Sequence, residues 1–247
     1  MNPIEPLSQP IPNPQPAAPR EPFWGYSDLL LFIGFCVPCL LLATLLVRAA
    51  AYLFQTPQPA MLLLIQSLWY FLAFGAMAML FRMRYDQPFW PALGWRSLPY
   101  STSAGALLAG PFLALGLGLL GAAFRTPEID LPFQQMLGST ATTILLGVVV
   151  VILGPVCEEL AFRGFLMPLL MRSIGTAGGI LVTGVIFGSV HGYEYEWSWR
   201  HMLLISLVGC VFGWAKYKTR STAAAAFMHS TFNLTQFAAF LYQARTL

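Results

Sequence analysis

A chain of 247 residues that is 57% apolar and only 9% charged, with a mean hydropathy of +0.66, falls outside the soluble globular class, whose members carry about 25% charged residues. Its net charge of +3 is small and scattered between apolar runs, which excludes nucleic acid as a partner. The apolar runs are continuous rather than alternating over about ten positions, which excludes a membrane β-barrel. The expected fold is all-α: a polytopic transmembrane helix bundle with the lipid bilayer as its surroundings and its polar groups turned to the bundle interior.

In chain order, residues 1–22 hold eight prolines and almost no large apolar side chains, so they read as a disordered, partly polyproline tail ahead of a helical domain over 23–247. Runs of spanning length follow at Asp28 to Phe54, Ala60 to Phe81 and Thr102 to Phe124, the last rich in glycines suited to close helix packing. Between the second and third, Arg82 to Tyr100 mixes Trp90, Trp95 and Tyr100 with Arg82, Arg84 and Arg96, the composition of an interfacial segment. Arg125 to Gly138 is a polar connection. Thr140 to Arg172 is 33 residues, about 50 Å of helix, too long for one crossing, so a bend is expected at Gly154-Pro155. The remaining runs are Ala177 to His191, Met202 to Tyr217 and Thr222 to Tyr242. That makes seven spans, or eight if the Gly-Pro break divides the fourth. With seven, Lys and Arg concentrate in loops on one side, placing the N-terminus inside and the C-terminus outside. The four cysteines all lie in apolar runs, which argues against a disulfide framework, and Cys36-Val-Pro-Cys39 lacks the βαβ setting of a redox motif.

The charges that need a reason are Glu158, Glu159 and Arg163, which follow a run without any charge from Thr140 to Val156. A charge at bilayer depth costs at least about 2.5 kcal/mol. Glu159 and Arg163 stand i,i+4 with the acid first, the favourable order for an ion pair on one helix face. Glu158, turned about 100° away, has no local partner, and an unpaired intramembrane carboxylate marks a functional site.

Two of the three histidines lie within apolar runs. His191 ends the fifth, with Phe187 four residues before it to wall the imidazole. His229 lies in the seventh, with Asn233 on the same face. His201, beside Trp197 and Trp199, reads as an interfacial residue. Glu158 and His191 could hold and deprotonate a water, while His229 and Asn233 received the developing negative charge, the minimum kit for hydrolysing an amide. Cys157 points about 100° from Glu158 and makes a poor nucleophile candidate.

Glu158-Glu159-x-x-x-Arg163, Phe187-x-x-x-His191 and His229-x-x-x-Asn233, in this order and in separate apolar segments, resemble the CPBP family: type II CAAX prenyl endopeptidases and bacterial relatives, among them the ABI proteins linked to bacteriocin maturation and immunity. The resemblance covers residues 140–240. It implies an intramembrane glutamic endopeptidase acting on a membrane-associated or lipidated protein or peptide. Glu158 would be the general base assisted by His191, His229 and Asn233 the oxyanion site, and Glu159, Arg163 and Phe187 supporting structure. No cofactor is implied. Some members carry Asn four residues after the second-motif histidine, where this chain has Tyr195. A bacterial inner membrane suits the short chain with its proline-rich tail.

Two other readings stand beside it. Glu158, His191 and His229 are a ligand set for zinc with one open position, as in a metalloendopeptidase, although no H-E-x-x-H helix is present. The same fold without catalysis would be a scaffold or immunity protein, or a transporter with a proton-relay carboxylate. On a simple seven-span layout, Glu158 sits near mid-membrane and His191 about 10 Å away in depth, at 1.5 Å per residue.

Overall fold

The computed structural model describes residues 22–129 and 136–246. The expected tail therefore lies, apart from Pro22, outside the described residues. Within them every regular element is a helix and no strand forms. In lipid every backbone N–H and C=O must be satisfied within the segment, and long apolar helices are the way this sequence does so.

Helix α1 (Tyr26–Phe54) begins at a cap in which Gly25 N–H donates to Asp28 Oδ2 at 2.8 Å. Helix α2 (Gln58–Tyr85), the short α3 (Phe89–Ala92) and α4 (Tyr100–Ala123) follow. The fourth apolar run enters at α5 (Thr140–Val148), capped by Ser139, and passes through a π-helical turn (Val149–Leu153) into α6 (Gly154–Glu159). A second π turn (Leu160–Leu166) leads into α7 (Met167–Val190). A 3-10 turn (Gly192–Tyr195) precedes α8 (Trp199–Thr219) and α9 (Thr222–Thr246). A helix forms at each of the seven expected spans. Four stretches are long and apolar enough to cross a membrane on their own, and the last of these, Thr140–Val190, covers the fourth and fifth spans together. The polar and basic residues of α8 and α9 lower their hydropathy; these two helices carry His229, Asn233 and the lysines.

The expected bend at Gly154-Pro155 does not occur. Gly154 keeps helical angles (φ −56°, ψ −59°), and the chain absorbs the proline through the π turn just before it. The chain turns at Gly175 instead, whose φ of 77° lies in the left-handed region open to glycine.

Two close helix pairs hold the interior. α7 meets α8 through Gly184 and Gly188, where a Cβ would collide with the backbone of Ser206 and Met202. α4 meets α9 through Gly110, where a Cβ would collide with the backbone of Met228 and Phe232. Beside them, Trp24, Phe81 and Phe165 stack in a core with Met77, Leu93, Leu160 and Leu169. The segment after α2, expected at the membrane interface, turns inward in part: Leu93 is fully buried against Gly164, and its carbonyl accepts from Thr222 Oγ1 at 2.6 Å.

Candidate active site

The site begins with a dry ion pair. Glu159 and Arg163 are both fully buried, with Arg163 Nη1 donating to Glu159 Oε1 at 2.9 Å, as the i,i+4 spacing predicts. Arg163 Nη2 donates to Gly209 O at 2.7 Å. Its guanidinium lies 4.4 Å from the centre of the Phe187 ring, a cation–π contact in a desolvated setting. Gly209 leaves room for this approach, since a Cβ there would press on Arg163 Nη2 and Phe187. Phe187 thus supports Arg163 as well as walling His191, with ring centroids 4.7 Å apart in the second contact.

Glu159 Oε1 also takes the second histidine: His229 Nδ1 is 2.9 Å away. A carboxylate oxygen already accepting from Arg163 can only accept again, so His229 Nδ1 carries the hydrogen. Phe212 stacks on the same imidazole, 4.6 Å between centroids and 26° between planes. His191 is fixed similarly: its Nδ1 is 2.7 Å from Phe187 O, and a carbonyl accepts, so the hydrogen is on Nδ1. Both imidazoles therefore turn Nε2 inward.

They turn it toward Glu158. Its Oε2 is 3.9 Å from His191 Nε2 and 3.9 Å from His229 Nε2, and this buried oxygen has no hydrogen-bond partner. The 10 Å depth separation expected from a flat layout is absent. His191 closes α7 and His229 sits on α9, and both reach Glu158 on α6. Gly154 lies one turn before Glu158, and a Cβ there would press on the Val149 carbonyl at 3.0 Å. Asn233, one turn after His229, donates from Nδ2 to Val150 O at 2.8 Å, so one of its two amide hydrogens is committed to the first π turn.

Glu158, His191, His229 and Asn233 all line one cavity of about 420 Å³, which continues past Val150 and Phe237. Glu194, in the turn after α7, is on its wall. Burial pushes the Glu194 carboxyl above its ordinary value, Glu158 adds to the rise, and His191 opposes it. Tyr195, at the position where some relatives carry Asn, also lines the cavity and stacks on His201, whose Nδ1 is 3.0 Å from Ser198 Oγ.

Glu194, the Val150 and Gly209 carbonyls, and the Phe212 stack are absent from the sequence reading. Glu194 had a signal, an acid three residues after His191. A carbonyl has none.

The zinc reading can be tested on geometry. Two ligands of one tetrahedral zinc stand about 3.4 Å apart when each is about 2.1 Å from the ion. Glu158 Oε2 stands 3.9 Å from each Nε2, and among the described residues no group of three or more His, Cys, Asp and Glu is arranged to hold a metal ion.

Residues 140–235 match the family model for Rce1-like type II CAAX prenyl endopeptidases. The matched segment is 96 of the chain's 247 residues, and the likeness is to that segment. The match runs from the start of α5 into α9 and takes in Glu158, Glu159, Arg163, His191, His229 and Asn233. The family matched there is one of CAAX proteases, which are peptide hydrolases, and the long apolar helices support an integral membrane protein. No curated protein and no solved structure matches the chain.

Proposed function

We propose that this Rce1-like chain is an intramembrane glutamic endopeptidase that cleaves a peptide bond of a membrane-associated or lipidated protein. The observation that carries the reading is the convergence of three atoms: Glu158 Oε2 and both Nε2 atoms, 3.9 Å apart, with each imidazole locked from behind. A gap of 3.9 Å is too long for a direct hydrogen bond and suits a bridging water held by several polar partners.

Glu158 takes a proton from that water as the oxygen attacks the substrate carbonyl, with the His191 Nε2 lone pair accepting its other hydrogen. The carbonyl oxygen becomes an oxyanion facing His229 and Asn233. With Nδ1–H committed to Glu159, His229 donates from Nε2 only as the imidazolium; Glu159 is already paired with Arg163, so that charge is balanced by Glu158 and, once Glu158 has taken the proton, by the oxyanion. The second amide hydrogen of Asn233 supplies another donor. Glu158 then passes its proton to the leaving amine. Glu159 and Arg163 touch no substrate; they hold His229 in one orientation.

The experiment uses the full chain, purified in detergent and returned to vesicles, with a quenched lipidated peptide. Wild type cleaves it, Glu158→Gln does not, and both unfold at the same temperature. A strong chelator leaves the rate unchanged. Loss of activity that added zinc restores overturns the metal-independent reading, and full activity in Glu158→Gln removes the base. A wild type that cleaves nothing, yet holds the peptide as tightly as Glu158→Gln does, favours the binding scaffold.

A further inference from the structure

The link between Asn233 and Val150 O has a cause in the sequence. In an α-helix every interior carbonyl is taken by the N–H four residues on. In the first π turn the register is five: Gly154 N–H donates to Val149 O. The next donor in that register, for Val150 O, is residue 155, and Pro155 has no N–H. Val150 O is therefore left without a helical donor on the half-buried cavity wall, where an unpaired carbonyl is costly. Asn233 Nδ2 supplies the donor from α9 at 2.8 Å. In plain α register the proline would have freed Val151 O, about 100° further round the helix and off this wall. The π turn and the proline together select the carbonyl that faces Asn233, and both Val150 and Asn233 line the cavity.

We propose that Pro155 is a positioning residue for Asn233: by withholding an N–H it keeps Val150 O open as the anchor that fixes the Asn233 amide beside Glu158 and His229. One amide hydrogen is held by Val150 O, and the plane of the amide then directs the other into the cavity. This rests on the reading of Asn233 as an oxyanion donor. The anchoring is a separate claim with its own readout.

The test combines Pro155→Ala and Asn233→Ala, singly and together, in the full chain in detergent. Pro155→Ala supplies the missing N–H within the helix, so Val150 O no longer needs Asn233. Three results are expected. Pro155→Ala keeps or raises the unfolding temperature while kcat falls about tenfold and KM stays within about twofold, a separation that a merely structural proline would not give. Asn233→Ala lowers the unfolding temperature of the otherwise native chain by about 2–4 °C, the value of one part-buried hydrogen bond. That loss disappears when Pro155→Ala is already present. Equal losses in the two backgrounds overturn the proposal, as does a Pro155→Ala enzyme with native kcat. Pro155→Ser restores the same N–H and must repeat the pattern; if neither variant folds, the proline is structural and the proposal fails. A wild type without proteolytic activity would sink the endopeptidase reading alone, since the thermal cycle still decides whether Pro155 holds Asn233 in place.

Discussion

Two buried carboxylates in this protein sit beside an arginine, and they serve different ends. Asp28, 1% exposed, lies in the first turn of α1. It accepts from Gly25 N–H at 2.8 Å and from Tyr85 O–H at 2.7 Å, with Arg84 Nη1 at 3.2 Å. Arg84 is half exposed. Glu159 lies in the middle of the bundle with Arg163, and neither side chain has any exposure. Its other contact is an imidazole rather than a backbone N–H. The Asp28 cluster staples α1 to α2 where the helix N-terminus already favours a negative charge. The Glu159 cluster has no such help from the backbone dipole and fixes the tautomer of a group facing the cavity. The difference lies in what the carboxylate's remaining lone pairs meet.

The comparison is broken most strongly outside both clusters. Glu158→Gln removes the carboxylate facing both Nε2 atoms and should lower kcat/KM by about 10³-fold, within the range for general-base loss, with the unfolding temperature unchanged. A quenched-peptide assay beside a thermal melt checks both halves.

Glu159→Gln comes next and should damage stability and activity together. It leaves Arg163 buried without a counter-charge, a loss of about 3–5 kcal/mol. Adding Arg163→Met should recover most of the stability, because an apolar replacement of a buried pair is often neutral. It should not recover activity, because His229 still lacks its partner. Recovery of cleavage in that double variant would reduce the cluster to the same stapling role as Asp28. Denaturant melts and kinetics on the same preparations separate these outcomes. At the Asp28 end, Asp28→Asn should cost about 1–2 kcal/mol of stability through weakened hydrogen bonds and leave kcat within about twofold.

The same contrast shows what a sequence exposes. The Glu159–Arg163 pair is legible because a helix places i and i+4 on one face, whatever surrounds it. Glu158 is legible as an anomaly, an acid in a greasy run with no local partner. The joining of His229 to Glu159 is not, since those residues stand 70 positions apart and only tertiary packing sets the distance. The depth expected for His191 failed because a flat layout ignores helix tilt and the turn at Gly175. Gly154-Pro155 was legible as a disturbance but misread as a bend: a proline can be absorbed by one π turn, and whether it is depends on a donor such as Asn233 arriving from another helix. Asn233 was visible and so was the proline, but nothing local relates them. Leu93 was misplaced for a similar reason, because the glycine that receives it lies on α6's continuation.

The smallest expected effect is at Glu194, which has neither a helix cap like Asp28 nor an arginine like Glu159. Its carboxyl is raised mainly by burial, with Glu158 adding to the rise and His191 opposing it. A carboxyl with a higher pKa in the folded state binds protons more readily there than in the unfolded chain, so the ionised form weakens the fold. That penalty is complete above the raised folded value, shrinks as pH falls through it, and is gone below the ordinary glutamate value. Glu194→Gln should therefore raise the unfolding temperature at neutral pH, and the gain should vanish on acidification through that window. The melts must be run on both proteins across the same pH series. A constant offset at every pH would mean that the substitution acts through packing, and that the Glu194 charge has no cost at the cavity wall.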